Sequence, residues 1–113
     1  MKHPIHPDDV LCNATLYIGC SRARVEEALT RTNLRAWTCV KATGAWTREG
    51  QPVSARKREV STIVGILGIR HALAFTYAET LRGILREEAI LLQRQDPRGA
   101  FTTTMVVGHR SRA

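Results

Sequence analysis

The sequence predicts an α+β domain in which one antiparallel sheet has two helices on one face. Strand-type and helix-type segments follow one another in the order β-α-β-β-α-β, with an added strand at the carboxyl end. The chain of 113 residues has the size of a single domain, and 43% of its residues are hydrophobic, which suffices for one core. Two consecutive strand pairs are separated only by turn sequences, which favours antiparallel pairing.

The amino-terminal half predicts an irregular arm, two strands and a short helix. Residues 1–13 contain two prolines and two aspartates and predict the arm. Residues 14–19, rich in Thr, Tyr and Ile, predict the first strand. Ser21 is a favourable N-cap for a helix at 22–32, in which apolar residues recur at helical spacing. Residues 35–46, rich in Trp, Thr, Cys and Val, predict the second strand.

The carboxyl-terminal half predicts three more strands and the longest helix. Residues 55–67 begin charged and end apolar, which is typical of a hairpin strand whose base lies in a sheet and whose tip extends into solvent. Residues 69–88 predict a helix, and residues 89–95 and 100–108 predict strands joined by a turn. The predicted apolar face of this helix consists of Leu73, Tyr77, Leu81, Ile84 and Leu85.

These elements give the plan of a ferredoxin-like βαββαβ sandwich with an extra C-terminal strand, spanning 14–108 and followed by a mobile tail at 109–113. Strands 36–46 and 60–66 have apolar residues at both alternating positions. Since the helices cover only one face of the sheet, the other face needs a second cover. The sequence therefore predicts a homo-oligomer, with a trimer favoured.

The net charge is +7 and the isoelectric point is about 10.2. Such a balance favours an anionic partner: a nucleic acid, a nucleotide or an acidic protein. The alternative is a solvated basic surface without a specific partner, because the charge is spread along the chain without any run of five like charges.

The cysteine count and the hydropathy pattern limit the cellular setting. The three cysteines, Cys12, Cys20 and Cys39, have no C-x-x-C spacing, which argues against a disulfide framework and against a zinc site. No apolar run is long enough to span a membrane, and the amino terminus lacks a signal-type apolar core. The cytoplasm is the expected location, that of the host cell if the protein is phage-encoded.

The segments "TGAWTREG", "QPVSARKREV" and "STIVGI", between a strand-helix unit and a second helix, resemble the PII-like superfamily, which includes the PII signal proteins and the CutA proteins. The stretch "LREEAILLQ" resembles small uncharacterised bacterial and phage domains. The resemblance implies a ferredoxin-like homotrimer with ligand clefts between subunits, near the base of the hairpin. It does not imply a PII-type ATP site, because "REEAILL" passes directly from helix to strand, without that family's phosphate-binding loop.

The hairpin between the second and third strands is the first candidate binding site. Its guanidinium groups could bind phosphate oxygens, and Trp46 could stack on a base. The candidate ligand-binding residues are Trp46, Arg48, Arg56, Arg58 and Lys41. Alternation along the strand predicts Arg56 and Arg58 on one face and Lys57 on the other. The alternative is a solvated hairpin whose tryptophan packs against a neighbouring subunit.

A second candidate anion site lies at the amino terminus of the first helix. Cys20, Ser21, Arg22 and Arg24 combine a thiol, free backbone N–H groups and two cations. The alternative is a small buried cysteine that ends a strand, as no arginine follows Cys20 at phosphatase-loop spacing.

Two further groups of polar residues are weaker candidates. His3, His6, Asp8 and Asp9 could bind a transition metal, but they lie in the irregular arm, so no metal site is predicted. His71 and Glu79 are interpreted as surface residues, because nothing places them near a nucleophile.

The sequence therefore predicts a non-enzymatic, oligomeric binding protein for a small phosphate-bearing, nucleotide-type ligand or an acidic macromolecular partner, without a cofactor. If the protein is phage-encoded, it would sequester a nucleotide signal or block a host defence protein. The alternative is a nucleic-acid-binding protein that uses its basic surface. An enzyme is the third interpretation, because no catalytic arrangement is visible.

Overall fold

A computed structural model describes residues 9–47 and 50–108. The chain forms, in order, β1 (Leu11–Ile18), α1 (Arg22–Thr30), β2 (Thr38–Trp46), a 3-10 turn (Val53–Ala55), β3 (Lys57–Arg70), α2 (His71–Leu85), β4 (Ala89–Gln95) and β5 (Phe101–Val107). The five strands form one sheet in the order β2-β3-β1-β4-β5, and all neighbours are antiparallel. The predicted fold class is confirmed, since β1 to β4 have the ferredoxin-like arrangement and β5 extends the sheet beyond β4.

Most predicted boundaries lie within a few residues of the observed ones. Residues 11–13, predicted to belong to the arm, are the first residues of β1, because the extended end of β3 pairs with the first two, as in Cys12–Ile69, and β4 pairs with Asn13. The strand predicted to begin at 55 begins at Lys57, since the 3-10 turn occupies the preceding residues. The arm at 1–8 and the tail at 109–113 lie outside the described residues.

The core lies between the helices and one face of the sheet. Alternate residues of β1, β3 and β4 point to this face and are buried. On α2, Leu81 and Leu85 are buried as predicted, whereas Leu73 is 42% exposed. The buried stripe also includes Ala74 and Ala78, whose small side chains let the helix lie close to the sheet. Neither helix of the described chain is long and apolar enough to span a membrane.

The opposite face of the sheet, here named the open face, has no helix over it. The strand register aligns one apolar residue from each strand into a row across this face: Val40, Ile63, Tyr17, Leu91 and Met105. Val40 is 58% exposed and Met105 is 56% exposed. The next row is polar or lacks a side chain, and consists of Thr38, Gly65, Thr15, Gln93 and Thr103. Val40 and Ile63 of this row belong to strands 36–46 and 60–66, from whose two-sided apolar pattern the sequence predicted self-association, which stays a prediction.

Candidate functional site

A groove with a volume of about 620 Å³ lies at the end of the open face where β1 ends and β4 begins. Its lining combines an apolar wall with ionisable groups. It is formed by Tyr17, Ile18, Gly19, Gly44, Ala45, Glu59, Ser61, Glu87, Glu88, Ala89, Leu91 and Met105. The groove is large enough for a ligand of nucleoside size, which makes it the principal candidate site.

A smaller cavity of about 230 Å³ lies at the opposite end of the sheet, beside Asn13, Gly68 and Asp96. Its polar groups already serve the fold. Asp96 Oδ1 accepts hydrogen bonds from the N–H groups of Arg98 and Ala100, both at 2.9 Å, and so closes the β4–β5 turn. Asn13 Oδ1 accepts a hydrogen bond from the Gly68 N–H. The polar groups of this cavity are therefore accounted for by hydrogen bonds to the backbone of the neighbouring segments.

Three carboxylates line the large groove. Glu59 comes from β3, and Glu87 and Glu88 come from the loop between α2 and β4. Burial, followed by the charge of Glu59, raises the pKa of Glu87; Arg24 lowers it and Glu88 raises it further. A protein with net charge +7 therefore presents three carboxylates in one groove, where they favour a cation.

The loop that presents Glu87 and Glu88 is fixed by its backbone. Arg86 ends α2 in the left-handed conformation, with φ 55°. The Glu87 N–H then donates to the Arg82 carbonyl at 3.1 Å, and the Arg82 guanidinium donates to the Glu87 carbonyl at 3.2 Å. The Gly108 N–H donates to the Glu88 carbonyl at 3.4 Å, which ties the loop to the end of β5. The two glutamates therefore have a defined position beside the groove.

The apolar wall of the groove is part of the row that crosses the open face. Tyr17, Leu91 and Met105 are consecutive members of that row on β1, β4 and β5, and all three line the groove. The tyrosine ring offers a surface on which a planar base could stack. A ligand in the groove would meet both apolar surface and carboxylates.

The raised pKa of Glu87 makes stability depend on pH. Its carboxyl binds more protons in the folded than in the unfolded chain, so its contribution lowers the free energy of unfolding as the pH rises from its ordinary value of 4.5 through the raised pKa. We expect Glu87→Gln to be more stable than the wild type at neutral pH and about equally stable at pH 3.5–4. Urea unfolding across this range measures the difference. A difference that is constant with pH would contradict the assignment.

The predicted hairpin residues lie away from this groove as far as they are described. Arg56, Arg58 and Lys41 are exposed, and none of them lines it. Lys57 pairs with Trp46 and Arg58 with Ala45, so Lys57 and Arg58 point to opposite faces, as alternation predicted. Arg48 and the side chain of Trp46 lie outside what the structure describes. The interpretation of these residues as ligand-binding stays a prediction.

The second candidate group, at the start of α1, has roles within the protein. Cys20 is 5% exposed and belongs to the core, and Ser21 caps the helix by accepting from the Arg24 N–H at 3.4 Å. Arg22 forms an ion pair with Glu26 at 3.6 Å, and Arg24 donates to the Leu85 carbonyl at 3.5 Å. Binding of an anion here stays a prediction.

The hydroxyl of Thr62, on β3, connects the sheet to the segment between β1 and α1. Thr62 is fully buried, and its Oγ1 donates to the Cys20 carbonyl at 2.8 Å. We expect Thr62→Val to lower the free energy of unfolding by about 1–3 kcal/mol, because a buried carbonyl loses its donor. Urea unfolding tests this, with Thr102→Val, at an exposed position of β5, expected to change stability by less than about 0.5 kcal/mol. Equal losses would show that the hydrogen bond is unimportant.

The structure describes some of the weaker candidates. His3, His6 and Asp8 lie outside the described residues, and Asp9 is exposed. Across residues 9–47 and 50–108, no group of three His, Cys, Asp or Glu side chains could hold a metal ion. Two residues were interpreted as surface groups: Glu79 is exposed, whereas His71 is half-buried beside the buried Arg94, which donates to the His71 carbonyl at 2.9 Å.

Sequence reasoning did not single out Glu59, Glu87 or Glu88 as site residues. Glu59 directly follows the basic run "RKR", which drew attention to the opposite charge. The available signal was the pair Glu87-Glu88 between the end of a helix and the start of a buried strand, a position from which side chains point to the end of a sheet.

Comparison with known proteins yields a match at the level of structure. No protein-family model and no curated protein matches the sequence. A phage SAM lyase in complex with S-methyl-5'-thioadenosine has a similar structure, with a TM-score of 0.65 and 16% identity, covering 87% of this chain and 90% of the other. A phage SAM lyase in the apo state has a TM-score of 0.66 and 13% identity, covering 99% of both chains. The likeness shows a shared fold.

These matches correct the functional prediction made from the sequence. A non-enzymatic binding protein was expected, with nucleic-acid binding as the alternative, whereas the two similar structures are those of phage SAM lyases, which are enzymes. The prediction rested on the absence of nucleophile and metal motifs from the sequence, and such motifs do not reveal carboxylates that the fold brings together from distant segments. Membership of the PII-like superfamily stays a prediction, although the fold that this resemblance implied is the one observed.

Proposed function

We propose that this protein is an enzyme that cleaves S-adenosylmethionine and releases S-methyl-5'-thioadenosine. The observation that supports the proposal is the groove that Glu59, Glu87 and Glu88 line together with apolar residues. The fold shared with two phage SAM lyases agrees with it. The proposal replaces an anionic ligand by a cationic one and places the site on the open face near the loop before β4.

The charges of the substrate suit the groove. S-adenosylmethionine has a sulfonium and an ammonium group, and these two cations lie close to one carboxylate, so the methionine part has a net positive charge. Carboxylates at the groove attract this part, while the adenosine part can pack against Tyr17 and Met105. Burial, followed by the negative charge of Glu59, raises the pKa of Glu87, and an incoming cation would offset the contribution of that charge.

The chemical step needs no cofactor. The bond between the sulfur and the side-chain carbon of the methionine part breaks, and its electron pair stays on sulfur, which leaves as a neutral thioether. As this bond breaks, either an oxygen of the substrate's own carboxylate bonds to that carbon, or a proton on the neighbouring carbon moves to a base. Atoms and charge balance in both cases. A carboxylate that pairs with the ammonium holds the substrate in position throughout.

The apolar wall contributes to the chemistry in a different way. The positive charge on sulfur is reduced as the bond breaks, so the transition state needs less solvation at this atom than the bound substrate does. The apolar surface formed by Tyr17, Leu91 and Met105 solvates a positive charge less well than water does and therefore disfavours the charged sulfonium relative to the transition state. The carboxylates provide affinity for the cationic substrate. The apolar wall destabilises the charged sulfonium more than the transition state.

We also propose that the protein is a homotrimer in which the part of the open face outside the groove is buried between subunits. The exposed end of the apolar row at Val40, which is 58% exposed, supports this assembly. If the protein is phage-encoded, its action in the host cytoplasm would remove a methyl donor on which methylation-dependent defence systems rely. That role is compatible with the adenosine-containing ligand proposed here.

The test is incubation of the purified protein with S-adenosylmethionine, with the products separated by liquid chromatography. We expect S-methyl-5'-thioadenosine to form faster than in a protein-free control, which corrects for spontaneous breakdown. S-adenosylhomocysteine is the matched control substrate, because it lacks the sulfonium and should remain intact. If the rate equals that of the protein-free sample at every protein concentration, the proposal is wrong.

A further inference from the structure

We propose that Gly19 is a positioning residue for Glu59: its missing side chain leaves the space in which the Glu59 carboxylate lies at the groove. This inference rests on the proposed function for its effect on turnover, but the geometry stands apart from it. A Cβ atom at Gly19 would lie 3.1 Å from Glu59 Cδ and nearer still to Oε1. The Glu59 carboxylate therefore fills the volume that any other residue at position 19 would occupy.

The backbone of Gly19 gives no other reason for glycine. The glycines with positive φ in the described chain are Gly50, Gly68 and Gly99. Gly19 is not among them, so its conformation is open to residues with a side chain. The requirement at this position is one of space, and the atoms that would lie nearest to an added Cβ all belong to Glu59.

A second glycine borders the same side chain. Gly44 is paired with Glu59 across β2 and β3, and a Cβ atom at Gly44 would lie 3.9 Å from Glu59 Cγ and 2.6 Å from Ser61 Oγ. The Glu59 side chain thus passes beside Gly44 and ends against Gly19, and both glycines line the groove. Gly19 is the better test position, since it meets the carboxylate alone.

The effect of a substitution at Gly19 on stability can be distinguished from its effect on the position of the Glu59 carboxylate. In Gly19→Ala the new methyl group meets the free end of a flexible side chain, which can rotate away, so the fold is expected to survive. The carboxylate must then move by about 1 Å to restore an ordinary contact distance. A displacement of about 1 Å in a positioned group can lower turnover by up to about 100-fold. We expect kcat/KM for S-adenosylmethionine to fall 10- to 100-fold.

The experiment is a double-mutant cycle of Gly19→Ala and Glu59→Gln. The readouts are kcat/KM and the pKa of Glu87, followed by carboxyl NMR, because Glu59 is one of the charges that raise this pKa. Gly19→Ala should change both values in the wild-type background and neither in the Glu59→Gln background. Gly83→Ala is the matched control, since Gly83 has nothing within 4 Å of its Cβ position, and it should leave both values unchanged.

A rescue variant guards against an indirect effect on folding. In Glu59→Asp the side chain is one methylene shorter, so its carboxylate lies farther from position 19. Adding Gly19→Ala to this variant should therefore cause no further loss of kcat/KM. An unchanged Glu87 pKa in Gly19→Ala, or equal losses in all backgrounds, overturns the positioning role. Absence of lyase activity in every variant, together with the expected change of the Glu87 pKa, would instead overturn the proposed function and leave the positioning role supported.

Discussion

Glu59→Gln is expected to lower kcat/KM for S-adenosylmethionine by at least about 100-fold, the usual cost of removing one preorganised electrostatic group from an active site. The amide keeps the size of the side chain and its space beside Gly19 but loses the charge that attracts the cationic part of the substrate. The measurement is steady-state formation of S-methyl-5'-thioadenosine, combined with a thermal melt that shows the variant to be folded.

A matched variant separates this effect from a general change of charge. Glu79 is an exposed glutamate on α2, on the helical side of the sheet and outside the groove. Glu79→Gln has the same change in net charge and should keep wild-type activity. Equal activity of the two variants would remove Glu59 from the site and with it the main support for a cation-binding groove.

The second large effect concerns assembly. Val40→Lys places a charge on the open face at a position that is 58% exposed in the single chain and outside the groove. If three open faces pack together, each subunit buries this charge without a partner, at a cost of several kcal/mol per subunit. We expect the wild type to sediment at about three times 12.6 kDa and Val40→Lys to sediment as a monomer.

The control for assembly is Leu73→Lys, which introduces the same charge at a half-exposed apolar position on α2. This substitution should leave the oligomeric state unchanged, since α2 lies on the opposite side of the sheet. A monomeric wild type would refute the trimer directly. Dissociation by both lysine variants would indicate a general effect of added positive charge rather than an interface on the open face.

The fold was predictable from the sequence because its signals are local. Ser21 caps α1, β-branched and aromatic residues mark the first two strands, and turn residues separate β4 from β5, so each element could be assigned from its own segment. The burial predicted for Leu73 on α2 was wrong because the helical pattern drew attention to large residues. The approach of the helix to the sheet is set instead by Ala74 and Ala78.

The site was not predictable in the same way because it is assembled from distant segments. Glu59 and Glu87 lie far apart in the sequence and meet at one groove because β3 and β4 are both neighbours of β1. The basic residues of the hairpin attracted attention because they are adjacent in the sequence. Charged residues collected near a turn are exposed for that reason alone, as Arg56 and Arg58 are.

The alternation along β1 has a consequence for how the gene can tolerate changes in length. Leu16 and Ile18 enter the core, while Tyr17, between them, lines the groove. Deleting one codon in this strand would shift every later side chain to the other face, so that apolar core residues point outward and the tyrosine points inward. A deletion scan should therefore find β1 intolerant, with folding and activity lost together, whereas deletions near Gln51 in the β2–β3 connection should be accepted.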